Sequence, residues 1–295
     1  MSFADRVRAE LSELAVKHNC CRRALLEGLL LGAYFDADAK CVRVRYGQEA
    51  IADLAAELIS KQFGKQPEVI RSGKCGHNYW DISVSAPACT RLVRSMDAED
   101  ASSDSVFHFG CDACRSIFLR GSFLALGTVN DPHKSFHMEW KLLPTRVALL
   151  SGLLDSLGYP ARQVNRPDSV GLYYKDSSAI EDLITLMGSS HVLFEVINSR
   201  IERDIRNNEN RATNCVARNI EKTIAAATRQ MEAINRLVET GRLDSLPEGL
   251  QETARIRYAN PDASLDELTT LHSPTISKSG LNHRLQKLVD AADEL

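Results

Sequence analysis

Apolar and polar positions along the first 190 residues fall into two successive sets that follow the same order of periods. Residues 22–33 are apolar at helical spacing around Gly28. An extended pair follows, with the alternation Val42-Arg43-Val44-Arg45 on its second strand. Helical spacing returns over 48–62, extended segments over 67–72 and 79–85, and a short amphipathic helix over 88–96. The order then recurs, with a helix over 113–127 around Gly121, a second over 144–157, strands over 161–166 and 170–175, and a last helix over 177–187. Three- and four-residue spacing marks a helix with one buried face, and alternation marks a half-buried strand. Each set therefore predicts αββαββα.

Direct comparison supports a duplication. In CRRALLEGLLLGAYF (from Cys21) and CRSIFLRGSFLALGT (from Cys114), Cys21, Arg22, Leu26, Gly28 and Leu31 match Cys114, Arg115, Leu119, Gly121 and Leu124 at one offset of 93. At offset 94, CVRVRY aligns with SFHMEW and AAELISKQFG with LLSGLLDSLG. Pro67 and Pro160 follow in each copy, then Tyr79-Trp80 and Tyr173-Tyr174. The expected class is α+β: a pseudo-twofold duplicated domain over 1–190, with copies at about 1–97 and 98–190, then a helical linker over 191–244 and an all-α helix-turn-helix domain over 245–295.

The stretch after Ser189 reads as helical with a break at Asn207–Asn210. Arg211, Arg218, Lys222 and Arg229 are 7, 4 and 7 residues apart, which places them on one stripe. Such a stripe is either a solvated face or a track for phosphates. PEGLQETARIRYAN predicts one helix, and SLDELTTLH opens the next with a capping box, Ser264 and Glu267, ahead of apolar Leu265, Leu268 and Leu271. After Ser273-Pro274-Thr275, SKSGLNHRLQKLVDAADEL predicts a third helix with Leu281, Leu285 and Leu288 buried. Two short helices joined by a tight turn are the helix-turn-helix pattern. Lys278, Ser279, Asn282 and His283 are the candidates for base edges, Arg284 and Lys287 for phosphates, and Ser277 is a further DNA-binding candidate at the helix start.

Composition changes this picture little. The chain has 295 residues, 25% charged and 44% hydrophobic, with a net charge of −3, so affinity for nucleic acid must come from local patches. No targeting pattern or membrane-length apolar run is present in the sequence, so a cytoplasmic, nucleoid-associated protein with no membrane partner is expected. The eight cysteines should be reduced thiols. Cys20-Cys21 and Cys111-x-x-Cys114 offer four thiolates to a zinc ion, but an adjacent pair is poor ligand spacing and cysteine is common as a small buried apolar residue. Cys75 and His77 in SGKCGHN are weaker candidates still. No Gly-rich phosphate loop, serine elbow or His-Asp-Ser set is present, so no metal or cofactor is expected.

The stretch LGAYFDADA (31–39) resembles LAGLIDADG, the helix-end motif that holds the metal-binding acids of a family of homing endonucleases. The duplication decides the register. LRGSFLALG from Leu119 pairs with LEGLLLGAY from Leu26, which puts glycine third in both copies and Ala33 and Leu126 at the place of the metal-binding acid. Neither can bind a cation that requires oxygen ligands. Asp36 and Asp38 then fall in a turn beyond the helix. A slipped register would make one of them a ligand and the chain an active endonuclease, though copy two offers no symmetric acid. The fold so resembled implies a saddle whose sheets curve over a DNA duplex, with Arg43 and Arg45 either facing phosphate or forming a solvated face. The matching strand of copy two carries His137, Glu139 and Lys141 and is less basic.

A degenerate motif pair followed by a helix-turn-helix resembles the WhiA family of bacterial regulators. The likeness rests on MSFADRVRAEL, CCRRALLEGLLLGA, FLRGSFLALGTVNDP, RDIRNNENRATNC and ISKSGLNHRLQKL, with Ala33-Tyr34 a departure from the family's polar-then-glycine. The resemblance implies a non-enzymatic transcription regulator that binds promoter DNA. It further implies a role in sporulation, cell division and chromosome segregation in Gram-positive bacteria, with other transcription or division factors as further partners. The competing readings are an active endonuclease and a division-machinery scaffold that touches DNA weakly.

Overall fold

The computed structural model describes residues 2–74, 77–98, 101–107 and 109–294; Cys75 and the side chain of His77, the weakest ligand candidates, lie outside them. The chain divides into two compact units, Met1–Arg203 and Asp204–Leu295.

The first unit opens with α1 (Phe3–Glu13), which the periodicity did not predict. Its capping box is made by Ser2 and Asp5, each side chain accepting the other's N–H at 3.1 Å. Copy one then runs α2 (Asn19–Leu29), β1 (Tyr34–Asp36), β2 (Cys41–Tyr46), α3 (Glu49–Phe63), β3 (Glu68–Lys74), β4 (His77–Val84) and α4 (Pro87–Ser95). After the single turn α5 (Ser103–Val106), copy two runs α6 (Ala113–Leu126), β5 (Gly127–Val129), β6 (Met138–Leu142), α7 (Val147–Ser156), β7 (Arg162–Arg166), β8 (Ser169–Tyr174) and α8 (Ser177–Met187). Both copies form four-stranded antiparallel sheets with the same order, β1-β2-β4-β3 and β5-β6-β8-β7. The αββαββα reading of each copy therefore stands, and the unit is of mixed α+β class.

The two copies share one core. At its centre α2 and α6 pack backbone to backbone. A Cβ on Gly28 would lie 2.2 Å from the Phe118 carbonyl oxygen, and one on Gly121 would lie 2.3 Å from that of Leu25. No side chain fits at either place, which is why the two glycines align in sequence. Buried side chains complete the seam: the Tyr46 hydroxyl donates to the Leu29 carbonyl (3.0 Å) and the Trp140 indole N–H to Ser122 Oγ (3.2 Å). Arg146, fully buried in a 3-10 turn before α7, crosses between copies. It donates to the Leu31 carbonyl at 2.8 Å and to both carboxylate oxygens of Asp97 at 2.9 Å. A buried guanidinium is tolerated only with partners of this kind.

Helix α9 (His191–Glu239) starts in the first unit, where Glu10 accepts the N–H groups of Ser190 (2.7 Å), His191 (2.9 Å) and Val192 (3.1 Å) that the helix start leaves unpaired. The expected break at Asn207–Asn210 is absent, since the helix continues through it. Asparagine is only a mildly poor helix former, and no glycine or proline is present there to stop the run.

The second unit takes the last turns of α9 together with α10 (Glu248–Ala259), α11 (Leu265–Thr270) and α12 (Lys278–Asp293). Its separate core joins Ala233, Ile234 and Leu237 of α9 to Ala254, Leu268, Leu281, Leu285, Leu288, Val289 and Ala292. The Ser264–Glu267 capping box forms as predicted, with contacts of 2.7 and 3.3 Å. Leu271, at helical spacing from Leu268, falls just beyond α11, which ends at Thr270, and is exposed.

Candidate nucleic-acid interface

Helix α12 is held by its apolar face, and that decides which side chains it offers. Leu281, Leu285, Leu288 and Val289 are buried, while Ser279, Asn282, His283 and Lys287 are exposed along the first two to three turns. Ser277 caps the helix, its Oγ accepting the Gly280 N–H at 3.1 Å. That side chain is occupied in folding and only its remaining valence reaches Ser279 Oγ (3.1 Å). Lys278 is exposed with its ammonium 2.8 Å from Asp266. Arg284 is half-buried and turned back onto α10, donating to the Gly249 carbonyl at 3.2 Å with Glu252 at 3.7 Å. It ties α12 to α10, a role the sequence did not suggest.

Along α9, Arg211, Arg218 and Lys222 are exposed. Lys222 and Asn282 line one groove together with Gln230, Arg257 and Leu265, so the structure brings part of the α9 stripe beside α12. Arg229 is the exception in the stripe. With Arg236 it pairs with Asp293 at the end of α12, at 3.3 and 3.1 Å.

On the first sheet, Arg43 and Arg45 share the exposed face, and Val42, Val44 and Tyr46 the buried one. Their charges are balanced locally. Arg43 Nε lies 3.0 Å from Asp36, and Arg45 donates to Asp81 at 2.6 and 3.2 Å while its guanidinium stacks over Tyr79. The Arg45 hydrogen bonds, against some burial and with help from Ser72, hold the Asp81 carboxyl below its ordinary range, so the pair stays ionised. On the second sheet Lys141 is exposed, whereas Glu139 is buried beneath Arg166 and 3.3 Å from His137. The outer strand β7 adds Arg162 and Arg166 to that face, which the sequence reading missed. Their two-residue alternation with Val164 was the available signal.

Ala33 and Leu126 stand at the ends of the two motif helices. Ala33 is buried, and Leu126 lies against Gly32, where a Cβ would come 2.9 Å from Leu126 Cδ2. Asp36 ends β1, and Oδ1 accepts the N–H groups of Asp38 (3.1 Å) and Ala39 (3.0 Å) while Oδ2 faces Arg43. The Ala39 N–H, against slight desolvation and aided by Arg43 and the Asp38 N–H, holds this carboxyl below its usual range. One oxygen thus serves the turn and the other the Arg43 guanidinium on β2. Asp38 is exposed in the same turn. Cys20, Cys21, Cys111 and Cys114 converge at the opposite, N-terminal ends of α2 and α6, despite the spacing that argued against it. No helix among the described residues is long and apolar enough to cross a membrane.

Comparison with known proteins fits both units. A family model described as the WhiA C-terminal HTH domain matches residues 210–292, and one described as the WhiA LAGLIDADG-like domain matches 115–206. A relative named "Probable cell division protein WhiA" from Caldicellulosiruptor saccharolyticus is 31% identical over 320 residues, covering 100% of this chain and 96% of that protein. The protein of the same name from Ruminiclostridium cellulolyticum is 32% identical over 307 residues, with 100% and 98% covered. Among solved structures, full-length DUF199/WhiA from Thermatoga maritima superposes with a TM-score of 0.60 at 22% identity, covering 100% of this chain and 99% of that one. Its fold is therefore shared along the whole chain, with a LAGLIDADG-like N-terminal domain and a helical C-terminal HTH domain.

Proposed function

The chain belongs to the WhiA family, and from that premise we propose that it is a non-enzymatic regulator that recognises specific promoter sequences in double-stranded DNA. The observation that carries this reading is the set of exposed polar side chains on α12, Ser279, Asn282, His283 and Lys287, projected from a helix whose other face is locked into a core. A recognition helix requires that combination: rigid placement and free polar ends. Ser279, Asn282 and His283 read base edges. Lys278 and Lys287 take phosphates, and Arg211, Arg218 and Lys222 extend the phosphate track. Ser277 and Arg284 set the helix for them. Arg43 and Arg45, with Asp36 and Asp81 beside them, give the sheet face a secondary and weaker part. Ala33 and Leu126 remove the ligands that strand cleavage needs. The relatives named as cell division proteins support a role in division; the same proposal extends to sporulation and chromosome segregation of a Gram-positive cell, at the nucleoid, with other transcription or division factors as partners.

Footprinting on promoter fragments recovered by genome-wide mapping tests this. Asn282→Ala should lose about 1–3 kcal/mol of affinity for the preferred site and relax selectivity at one base pair. Lys287→Ala should weaken all sequences alike and reduce the salt slope by about one. Unchanged protection by the double variant would remove α12 as the reader.

A further inference from the structure

Four thiols meet at the first turns of α2 and α6, at the N-terminal end of the apolar seam, where Cys21 and Cys114 are buried in the core and Cys111 is exposed. Cys20 and Cys21 open α2, Cys111 precedes α6, and Cys114 lies in the first turn of α6. Their sulfurs are 3.5 Å apart for Cys21–Cys111 and Cys111–Cys114, 3.8 Å for Cys20–Cys111 and 4.0 Å for Cys20–Cys21. All four lie within 4.8 Å of one another. We infer that these cysteines form a structural zinc site that clamps the N-terminal ends of the two motif helices, and with them the two copies of the domain.

The geometry selects the ion. Zinc–thiolate bonds of about 2.3 Å in a tetrahedron put the sulfurs about 3.8 Å apart, close to the distances found here. An iron–sulfur cluster would distribute its thiolates over several irons and spread them more widely. Soft thiolates without oxygen ligands also disfavour magnesium, calcium and manganese. Burial adds a second argument. Cys21 and Cys114 are buried, but Cys111 is exposed, so apolar packing alone does not account for the gathering. Nor is the approach of the two segments incidental. Gly110 brings the backbone before Cys111 so near that a Cβ there would lie 2.9 Å from Cys20 Cβ.

The adjacent pair is workable for a related reason. Successive side chains diverge within a regular helix, but Cys20 and Cys21 sit at its very start, and their sulfurs still come within coordinating reach. Binding replaces four thiol protons, released to solvent, by one Zn²⁺, leaving a site of net charge −2. The positive ends of two helix dipoles stabilise that charge. The clamp ties the seam at the end opposite to the Gly32–Leu126 contact.

The test uses the full chain, purified under reductant with no added metal. Elemental analysis should find about one zinc per chain. Cys111→Ser should lose it, and Cys215→Ser, an exposed thiol on α9, should keep it. Protein stripped with a chelator and titrated with Co²⁺ should develop the visible bands of tetrahedral thiolate coordination, which decides the matter even if Cys111→Ser misfolds. Absence of both zinc and these bands would overturn the site. So would a mass two hydrogens lower, which marks a disulfide among the four, or stoichiometric iron and sulfide. None of these readouts involves DNA.

Discussion

Single residues in this molecule are decided by what lies within about one atomic diameter of them. Gly28 and Gly121 are the clearest case, because a methyl group on either would enter the opposite helix backbone. Overpacking in a side-chain core costs about 1–3 kcal/mol, and backbone yields less readily than side chains. Gly28→Ala should therefore lower stability by at least about 3 kcal/mol, measurable as a shift of the urea midpoint at constant slope. Glu10 is decided by charge. Burial acts to raise its pKa from the ordinary 4.5, but the Ser189 hydroxyl and the N–H groups of His191, Ser190 and Val192 outweigh it and hold the carboxyl lower. A lowered folded-state pKa adds stability above the ordinary value, and that stability is lost as pH falls through the folded value. Urea midpoints of the wild type and Glu10→Gln should differ at pH 7 and converge on acidification below about pH 4. A gap that stays constant across that range would show that the ionised form of Glu10 is not what holds α9.

At the level of elements, α12 depends on its cap. Ser277→Ala removes the acceptor for the Gly280 N–H and should cost about 1 kcal/mol. It should also weaken DNA binding while leaving the Asn282-dependent base preference intact, as a binding isotherm on matched and mismatched sites would show. The elements themselves were largely readable in the sequence, because burial imposes periods of two and 3.6 that survive in the pattern. The helices and strands of both copies and the α12 core face follow from those periods, the duplication also from matched residues, and the Ser264 capping box from its Ser-x-x-Glu spacing. What stayed hidden depends on contacts between distant segments. The capping of α9 by Glu10, the reach of Arg146 across the copies and the retreat of Arg284 onto α10 leave no local period. The four cysteines were visible only as a Cys-x-x-Cys and an adjacent pair of poor spacing, since the packing of α2 on α6 is what closes the distance. Helix α9 was misread in the other direction: its asparagines suggested a break, yet helix propensity is a weak local preference that the long flanking helix outweighs.

For the whole molecule, the division of labour follows the two cores. The second core includes Ala233, Ile234 and Leu237, so the HTH helices rest on the last turns of α9. A fragment beginning at residue 245 would expose the apolar faces of α10 and α12 that those residues cover, whereas one beginning at 204 keeps the unit complete. Residues 204–295 should accordingly unfold cooperatively, and 245–295 should show a broad, weak transition by circular dichroism. The longer fragment also retains Arg211, Arg218 and Lys222. If these and α12 supply the DNA contacts, it should bind the preferred site with most of the full chain's salt dependence, each phosphate contact contributing about 0.9 to the slope. The first unit, residues 1–203, should leave supercoiled plasmid intact in Mg²⁺ or Mn²⁺, because Ala33 and Leu126 offer no side-chain oxygen and the two oxygens of Asp36 are engaged by its turn and by Arg43. Clean cutting abolished by Asp36→Ala would reverse that assignment. Loss of site preference in 204–295, with the preference retained by 1–203, would move recognition from α12 to the sheets.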